Sequence, residues 1–385
     1  MKKRQQVIIY SALHFVVDFT CALLLLCCVG KSSDWKVAFL LYNFCAFAMQ
    51  MPIGVLADGK GGKTQFAALG CILVPLAYVF RREPILLGII AGLGNGFFHV
   101  GAGVSVIAMS REKASALGIF VSPGAFGIYF GALLGNKGSI PMVPVLAIVS
   151  MMGVGLAILV RQWNKDIIRE ETRKENCTKG VSEKSRKEYC IKENGINQIG
   201  LLCVLLVGIF VVVVLRSYAG MHFDFPWKRQ GGQLTGMAHV SMVVFGKMAG
   251  GILMDWLGVR KSVISSLGLA CICFPLSNIP IFGYLGVFLF NMSMPITLWF
   301  CAQILWSKKG FAFGFLTFGL FIGFLPSYLG ITIGPEGRVA YFIWTFLSLG
   351  ILLLATKFYT NGCGKQGERN EKVVRNQKAE MSSKW

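Results

Sequence analysis

A short charged loop motif occurs twice in this chain, and the two copies are GVLADGKGGK and GILMDWLGVRK. In both copies an apolar stretch leads up to the glycine, and a new apolar stretch begins after the basic residues. The chain is therefore predicted to contain two similar halves with the same charged turn. The matching positions are Gly54 and Gly251, Leu56 and Leu253, Asp58 and Asp255, Gly61 and Gly258, and Lys63 and Arg260, which Lys261 follows.

The composition places most of the chain in a membrane. Hydrophobic residues make up 55% of the sequence and charged residues only 15%. Because a soluble protein of this length could not bury so much apolar surface, each run of roughly 20 apolar residues is predicted to span the bilayer as a helix. We predict an all-α polytopic membrane protein with twelve transmembrane helices in two pseudo-symmetric six-helix halves, a symmetry common in secondary transporters. The predicted spans are 7–29, 36–56, 64–80, 85–109, 114–134, 142–162, 197–218, 233–254, 262–279, 282–305, 311–331 and 339–356.

These spans define four segments. We expect an N-terminal six-helix half (1–162), a polar cytosolic linker (163–196), a C-terminal six-helix half (197–356) and a basic tail (357–385) with the composition of a disordered segment. Most Lys and Arg fall on one side of the membrane if the N-terminus is cytosolic, and positive residues resist translocation. We therefore predict a multi-pass protein of the cytoplasmic (plasma) membrane with both termini in the cytosol.

The net charge of +20 follows from this topology, so we expect contact with anionic lipid and no binding of nucleic acid. The twelve Cys show no spacing typical of a metal site or a disulfide framework. We expect no cofactor and no metal. Because no nucleophile, general base and metal-ligand set lies together, we expect that the chain is not an enzyme. We expect a monomer whose partners are a small-molecule substrate and protons.

The repeated loop resembles the turn that follows the second and the eighth helix in the major facilitator superfamily. The resemblance covers nearly the whole chain, because the span count and the long central loop also match. It implies that Asp58 and Asp255 help to hold the cytosolic face closed, with the neighbouring basic residues as partners. Gly59 and Gly62 stand where the family usually has Arg, so we expect a weaker charge network in the first copy.

The fifth predicted span contains GIFVSPGAFG around Pro123. This segment resembles part of the Gly/Pro motif of drug-proton antiporters, with Ser122 and Phe126 in place of glycines. A Pro kink between tightly packed helices is the alternative interpretation. The fourth span lacks the Arg of such antiporters and contains GNGFFH, which resembles the fosmidomycin-resistance branch of the superfamily.

Asp18 is the one acidic residue deep in a predicted span, roughly 16 Å along the first helix at 1.5 Å per residue. Ionisable groups are expensive inside a bilayer and are therefore candidates for function. His14 lies one turn away on the same face. We predict that these two residues form a proton-coupling pair; the alternative is a hydrogen bond that merely buries both groups.

Further polar residues are predicted to line a substrate cavity. In the resembled fold the first, fourth, seventh and tenth helices surround the cavity, and His99 is expected at nearly the depth of His14. Lys247 and His239 share one face of the eighth span. Arg216 and Lys247 are candidates for holding an anion, or their side chains extend to the lipid headgroups. The predicted cavity residues are Asn95, His99, Arg216, His239, Lys247 and Asn291.

Together these features predict a proton-coupled secondary transporter that exports a small organic solute by alternating access. One alternative is an uptake symporter for an organic anion. Another is a membrane receptor or sensor that has kept the fold without transport, although the predicted cytosolic segments are too short and polar to form signalling domains.

Overall fold

The structure, a computed structural model, describes residues 3–59, 63–110, 113–138, 142–143, 145–155, 159 and 196–382. Within these residues the chain is helical and has no strand. Ten of the helices are long and apolar enough to cross a membrane, and two shorter apolar helices complete the set. In chain order they are α1 (Arg4–Val29), α2 (Trp35–Gly59), α3 (Gln65–Phe80), α4 (Pro84–Met109), α5 (Ser115–Lys137), α6 (Val145–Gly155), α7 (Gly200–His222), α8 (Gly232–Leu257), α9 (Val259–Leu276), α10 (Pro280–Ile304), α11 (Lys309–Tyr328) and α12 (Gly337–Tyr359).

The twelve helices follow the order of the predicted spans. The ninth begins earlier than predicted because Gly258 adopts a φ of 79°, which lets the chain turn sharply from α8 into α9. Its counterpart in the first copy of the motif, Gly61, lies outside the described residues, as do most of the linker and part of the sixth predicted span.

The last helix extends beyond its predicted span. Its backbone continues from Gly337 to Ser382, through a tail for which the composition predicts disorder. Lys, Glu, Gln and Arg are good helix formers, and the tail contains no Pro, so a helix that leaves the membrane can propagate through it.

Helix packing repeats between the two halves. In the first half α1 packs on α5, α3 on α4 and α2 on α4; in the second half α7 packs on α11, α9 on α10 and α8 on α10. Two equivalent contacts join the halves, since α2 packs on α11 and α8 packs on α5. This arrangement confirms the two pseudo-symmetric halves expected from the repeated loop.

Glycines bring α1 and α5 into close contact. A Cβ on Gly127 or Gly131 would meet the carbonyl oxygen of Phe15 or Phe19 on α1. Small residues permit such an approach in membranes. The same helix is interrupted between Val121 and Pro123, where the Pro removes a backbone N–H. The segment around Pro123 therefore has the properties of a Pro break in a tightly packed helix.

Candidate functional site

Four polar side chains meet in the N-terminal half, and we call them the His–Asp cluster. His14 and Asp18 come from α1, and Asn95 and His99 come from α4. The first three are 3–7% exposed, and His99 is partly buried. The His14 Nε2 lies 2.8 Å from the His99 Nε2 and 3.2 Å from an Asp18 carboxylate oxygen. The His99 Nε2 lies 3.7 Å from the other oxygen of Asp18.

Backbone carbonyls fix the orientation of both imidazoles. The His14 Nδ1 donates to the carbonyl oxygen of Phe120 at 2.7 Å, and the His99 Nδ1 donates to that of Asn95 at 2.9 Å. Because a carbonyl oxygen only accepts, each Nδ1 carries a hydrogen, and each Nε2 of a neutral ring presents a lone pair. Two lone pairs would repel at 2.8 Å, so this geometry suits a pair in which one Nε2 carries a proton and donates it to the other.

Asp18 balances that proton. The Asn95 side-chain amide donates to one of its oxygens at 2.9 Å, and the two imidazoles lie beside the carboxylate. A buried carboxylate is tolerated when an opposite charge and hydrogen bonds compensate it. With one proton between the imidazoles the cluster is neutral, and without that proton it carries one negative charge.

The Gly124 position lies directly against the cluster. A Cβ there would contact both the His14 Nε2 and an oxygen of Asp18. The absence of a side chain therefore leaves these two atoms uncovered towards α5. Pro123 precedes this glycine, which places the Pro break beside the cluster.

Two cations of the C-terminal half lie near one another, and Lys247 also lies near the cluster. Arg216 of α7 is buried, and its guanidinium donates to the Thr297 hydroxyl of α10 at 3.2 Å. Lys247 of α8 lies close enough to Arg216 and Asp18 for their charges to act on it. Among the residues whose side chains are described, neither cation forms an ion pair with a carboxylate.

Of the other two predicted cavity residues, Asn291 has a partner in its own helix, whereas the buried Nδ1 of His239 has no hydrogen-bond partner among the described residues. The Asn291 side chain donates to the Val287 carbonyl in its own helix and packs beside Gly246 of α8. His239 lies in α8, and its ring centroid is 6.4 Å from that of Phe225, which belongs to the loop before α8. The structure thus joins the predicted residues of α1 and α4 into one cluster, and His239 lies apart from it.

The Asp of the first loop joins the two halves. Asp58, at the end of α2, accepts hydrogen bonds of 2.8 Å from the backbone N–H groups of Gly310 and Phe311 at the start of α11. A helix N-terminus carries partial positive charge and unpaired N–H groups, which suit a carboxylate. Gly54 allows this contact, because a Cβ there would meet the carbonyl oxygen of Gly310.

The second loop repeats the same contact between the other pair of helices. Asp255, at the end of α8, accepts from the N–H groups of Ala114 and Ser115 at 2.7 and 3.1 Å. A Cβ on Gly251 would lie 2.5 Å from the carbonyl oxygen of Ala114. We call these two contacts the Asp58 latch and the Asp255 latch.

In the described part of the chain, helix N-termini are the observed partners of these carboxylates. Arg260 and Lys261 form no ion pair with Asp255 in the described part of the chain, and the side chain of Lys63 lies outside it. Each Asp accepts two backbone hydrogen bonds. The expectation of a weaker charge network in the first copy stays a prediction, because the side chains of Lys60 and Lys63 lie outside the described residues.

No protein-family model and no curated protein matches the chain. Among solved structures, the E. coli fucose:proton symporter FucP superposes with a TM-score of 0.61 at 14% identity, over 93% of this chain and 99% of that chain. The human organic anion transporter TETRAN gives 0.60 at 12% identity, over 92% and 100%. A bacterial homologue of the iron transporter ferroportin, in an outward-facing state, gives 0.57 at 14% identity, over 94% and 100%.

The chain has the fold of the major facilitator superfamily. This finding confirms the predicted all-α architecture of twelve transmembrane helices in two halves, and with it an integral multi-pass membrane protein. The fosmidomycin-resistance branch is not confirmed by these comparisons. At 12–14% identity the similarity concerns the fold, so the activity is argued from the site.

Sequence reasoning missed a second pair of contacts within this fold, at the opposite end from the latches. The Tyr129 hydroxyl of α5 donates to the Gln233 carbonyl of α8 at 3.0 Å, and the Tyr328 hydroxyl of α11 donates to the Lys36 carbonyl of α2 at 2.5 Å. The two bonds join the same helix pairs as the latches. The acceptor positions Lys36 and Gln233 are 197 positions apart, as Asp58 and Asp255 are, whereas the two tyrosines are 199 apart, so the repeat could have located only the neighbourhood of these contacts.

Proposed function

We propose that the chain is a secondary active transporter that moves a small organic solute by alternating access and couples this movement to protons. The short contact between the two Nε2 atoms of His14 and His99 carries the proposal, because both Nδ1 atoms are already engaged as donors. A fold shared with a fucose:proton symporter supports the same interpretation.

Loss of the proton would act between the halves. The His–Asp cluster then carries one negative charge and lies near Lys247 of the other half. Attraction between opposite charges is strong in a medium of low dielectric constant. Deprotonation therefore favours a closer approach of the halves. Protonation of the cluster, or a solute that binds between the halves, weakens this attraction. The proton and the solute can in this way bias the same rocking motion.

Contacts at both ends of the halves supply the two gates. The Asp58 and Asp255 latches close the end that we propose faces the cytosol, together with both termini and the linker 163–196. The tyrosine contacts join the opposite end. Alternating access requires that one set opens while the other holds, with residues 1–162 and 197–356 moving as two bodies in the plasma membrane.

We place export before uptake. The partial antiporter motif of α5 supports this choice, because Gly124 of that motif lies on the proposed proton site. In an antiporter the binding of the solute and the binding of the proton must influence one another. A solute in contact with α5 beside Gly124 would influence the proton site directly.

The second candidate function is uptake of an organic anion. Its supporting observation is the neighbouring pair of cations, Arg216 and Lys247, without a carboxylate partner in the described residues. An unpaired cation inside a membrane costs several kcal/mol. A solute with a carboxylate or a phosphate group would offset that cost, and a human organic anion transporter shares the fold.

A liposome experiment tests the coupling. The purified chain is reconstituted with a pH-sensitive dye inside, and sugars, organic anions and organic cations are screened for solute-induced proton flux. We expect Asp18→Asn to abolish this flux while Asp224→Asn, in an exposed loop, retains it. Full flux in Asp18→Asn would overturn the proposed proton site, and solute movement without any proton flux would overturn the coupling.

A further inference from the structure

Three potential metal ligands converge inside the His–Asp cluster. The His14 Nε2, the His99 Nε2 and a carboxylate oxygen of Asp18 all lie within 4.8 Å of one another. Bonds from a transition metal to such atoms are about 2.0–2.2 Å long, so the ligand atoms of a tetrahedral or octahedral ion lie about 3.0–3.4 Å apart. The His14 Nε2 lies 2.8 Å from the His99 Nε2 and 3.2 Å from one oxygen of Asp18, and the His99 Nε2 lies 3.7 Å from the other oxygen of that carboxylate. Shifts of a few tenths of an ångström would admit an ion.

The surroundings hold these ligands as metal sites usually do. A histidine that binds a metal through Nε2 commonly donates its Nδ1–H to a backbone carbonyl, which fixes the ring and its tautomer. Both rings meet this condition, through the carbonyls of Phe120 and Asn95. The Asn95 amide holds one oxygen of Asp18 and leaves the other oxygen, next to His14, as a ligand.

The cluster also has an uncovered side. A Cβ on Gly124 would contact the His14 Nε2 and the Asp18 oxygen, so only a hydrogen atom of α5 faces these ligands. Two imidazoles and one carboxylate leave further coordination positions to water or a solute. Such a ligand set suits Fe²⁺, Mn²⁺, Co²⁺ and Zn²⁺.

We propose that His14, His99 and Asp18 bind one divalent transition-metal ion at the position of the proton between the two imidazoles. The ion and that proton exclude one another, because both use the same Nε2 lone pairs. The inference shares its site with the proposed function but does not depend on transport. Lys247 brings positive charge near the cluster, so we expect an anion or hydroxide in an open position to accompany the metal.

Metal binding is measured on the purified full-length chain with its cysteines alkylated. The probes are Co²⁺, followed by its visible spectrum, and Zn²⁺, followed by calorimetry. We expect one ion per chain, with affinity at least about tenfold lower in His14→Gln, His99→Gln and Asp18→Asn. Affinity should also fall as the pH decreases, because protons and the ion compete for the same Nε2 lone pairs.

The matched control is the double variant His222→Gln with His239→Gln. The chain has four His, so any Co²⁺–imidazole spectrum in this control must come from His14 and His99. The control decides the question even if the cluster variants fail to fold. Absence of the spectrum in the control, or equal binding in wild type and in folded cluster variants, would overturn the inference.

The outcome is separable from that of the proposed function. Proton flux that requires Asp18 in a chain that binds neither Co²⁺ nor Zn²⁺ would retain the transporter and reject the metal site. Stoichiometric metal binding without proton flux would retain the metal site and reject proton coupling.

Discussion

His14 and His99 are separated by 85 positions in the sequence, yet their Nε2 atoms lie 2.8 Å apart between α1 and α4. The rings meet edge to face, with centroids 4.5 Å apart and planes at 89°. Because each Nδ1 is held by a carbonyl, neither ring can turn away without losing a buried hydrogen bond. The two histidines are therefore expected to act as one proton-binding unit.

A double-mutant cycle tests this unit. We expect His14→Ala and His99→Ala to show a coupling energy well above the few tenths of a kcal/mol typical of independent sites. The free energy of binding for a solute found in the flux screen is the quantity to measure. The pair His14→Ala with His239→Ala serves as control and should be close to additive. Additive effects in both pairs would make His99 an ordinary packing residue.

The two latches give a prediction about conformation. Replacing Asp58 or Asp255 with Asn removes a charge from a helix N-terminus, a loss of about 1–2 kcal/mol. We expect each change to shift the population towards a state open on the latch side, and by similar amounts, because each Asp accepts two N–H bonds. Labelling of single cysteines in a cysteine-free background measures the shift. Asp34→Asn, at the opposite end of the bundle, should leave labelling unchanged.

The latch also shows what could be predicted from sequence. The repeated motif located both Asp residues, since apolar runs and charged turns are local signals. The backbone N–H groups that bind these Asp residues could not be predicted, because the N–H groups at the start of a helix have no residue-specific sequence signal. In the His–Asp cluster the side chains themselves were predicted, His14 and Asp18 as a proton-coupling pair and Asn95 and His99 as cavity residues. His14 and His99 are 85 positions apart in the sequence, and only the packing of α1 on α4 brings their rings into contact.

Tyr129 and Tyr328 should control opening on the side opposite the latches. Tyr129→Phe and Tyr328→Phe each remove one hydrogen bond between the halves, worth about 0.5–1.5 kcal/mol. We expect each variant to increase cysteine labelling from the side opposite the latches, and the double variant to show additive effects because the bonds lie on separate helix pairs. Tyr78→Phe on α3 is the control. Increased labelling from the latch side instead would contradict this assignment.

Arg216 and Lys247 should determine which solute charge the protein prefers. If an anion binds there, Arg216→Gln and Lys247→Gln should weaken its binding by about tenfold or more, as expected for loss of a charge-assisted contact. Arg216→Lys keeps the charge but loses the planar donor pair, so its effect should be intermediate for a bidentate anion. Binding is measured by thermal shift, in which a ligand of the folded state raises the melting temperature. Equal binding in all variants would place the solute elsewhere.

The last prediction concerns Gly124, whose missing side chain leaves the cluster uncovered. Gly124→Ala keeps every ionisable group but places a methyl group against the His14 Nε2 and the Asp18 carboxylate. A clash of this kind typically costs about 1–3 kcal/mol and outweighs the gain in helix propensity, which is about 1 kcal/mol. We therefore expect a lower melting temperature together with loss of solute-induced proton flux. Gly350→Ala on α12 is the matched control, because a Cβ there meets nothing within 4 Å, and it should be neutral or stabilising. Normal flux in a folded Gly124→Ala variant would show that neither the proton nor the solute needs the space beside α5.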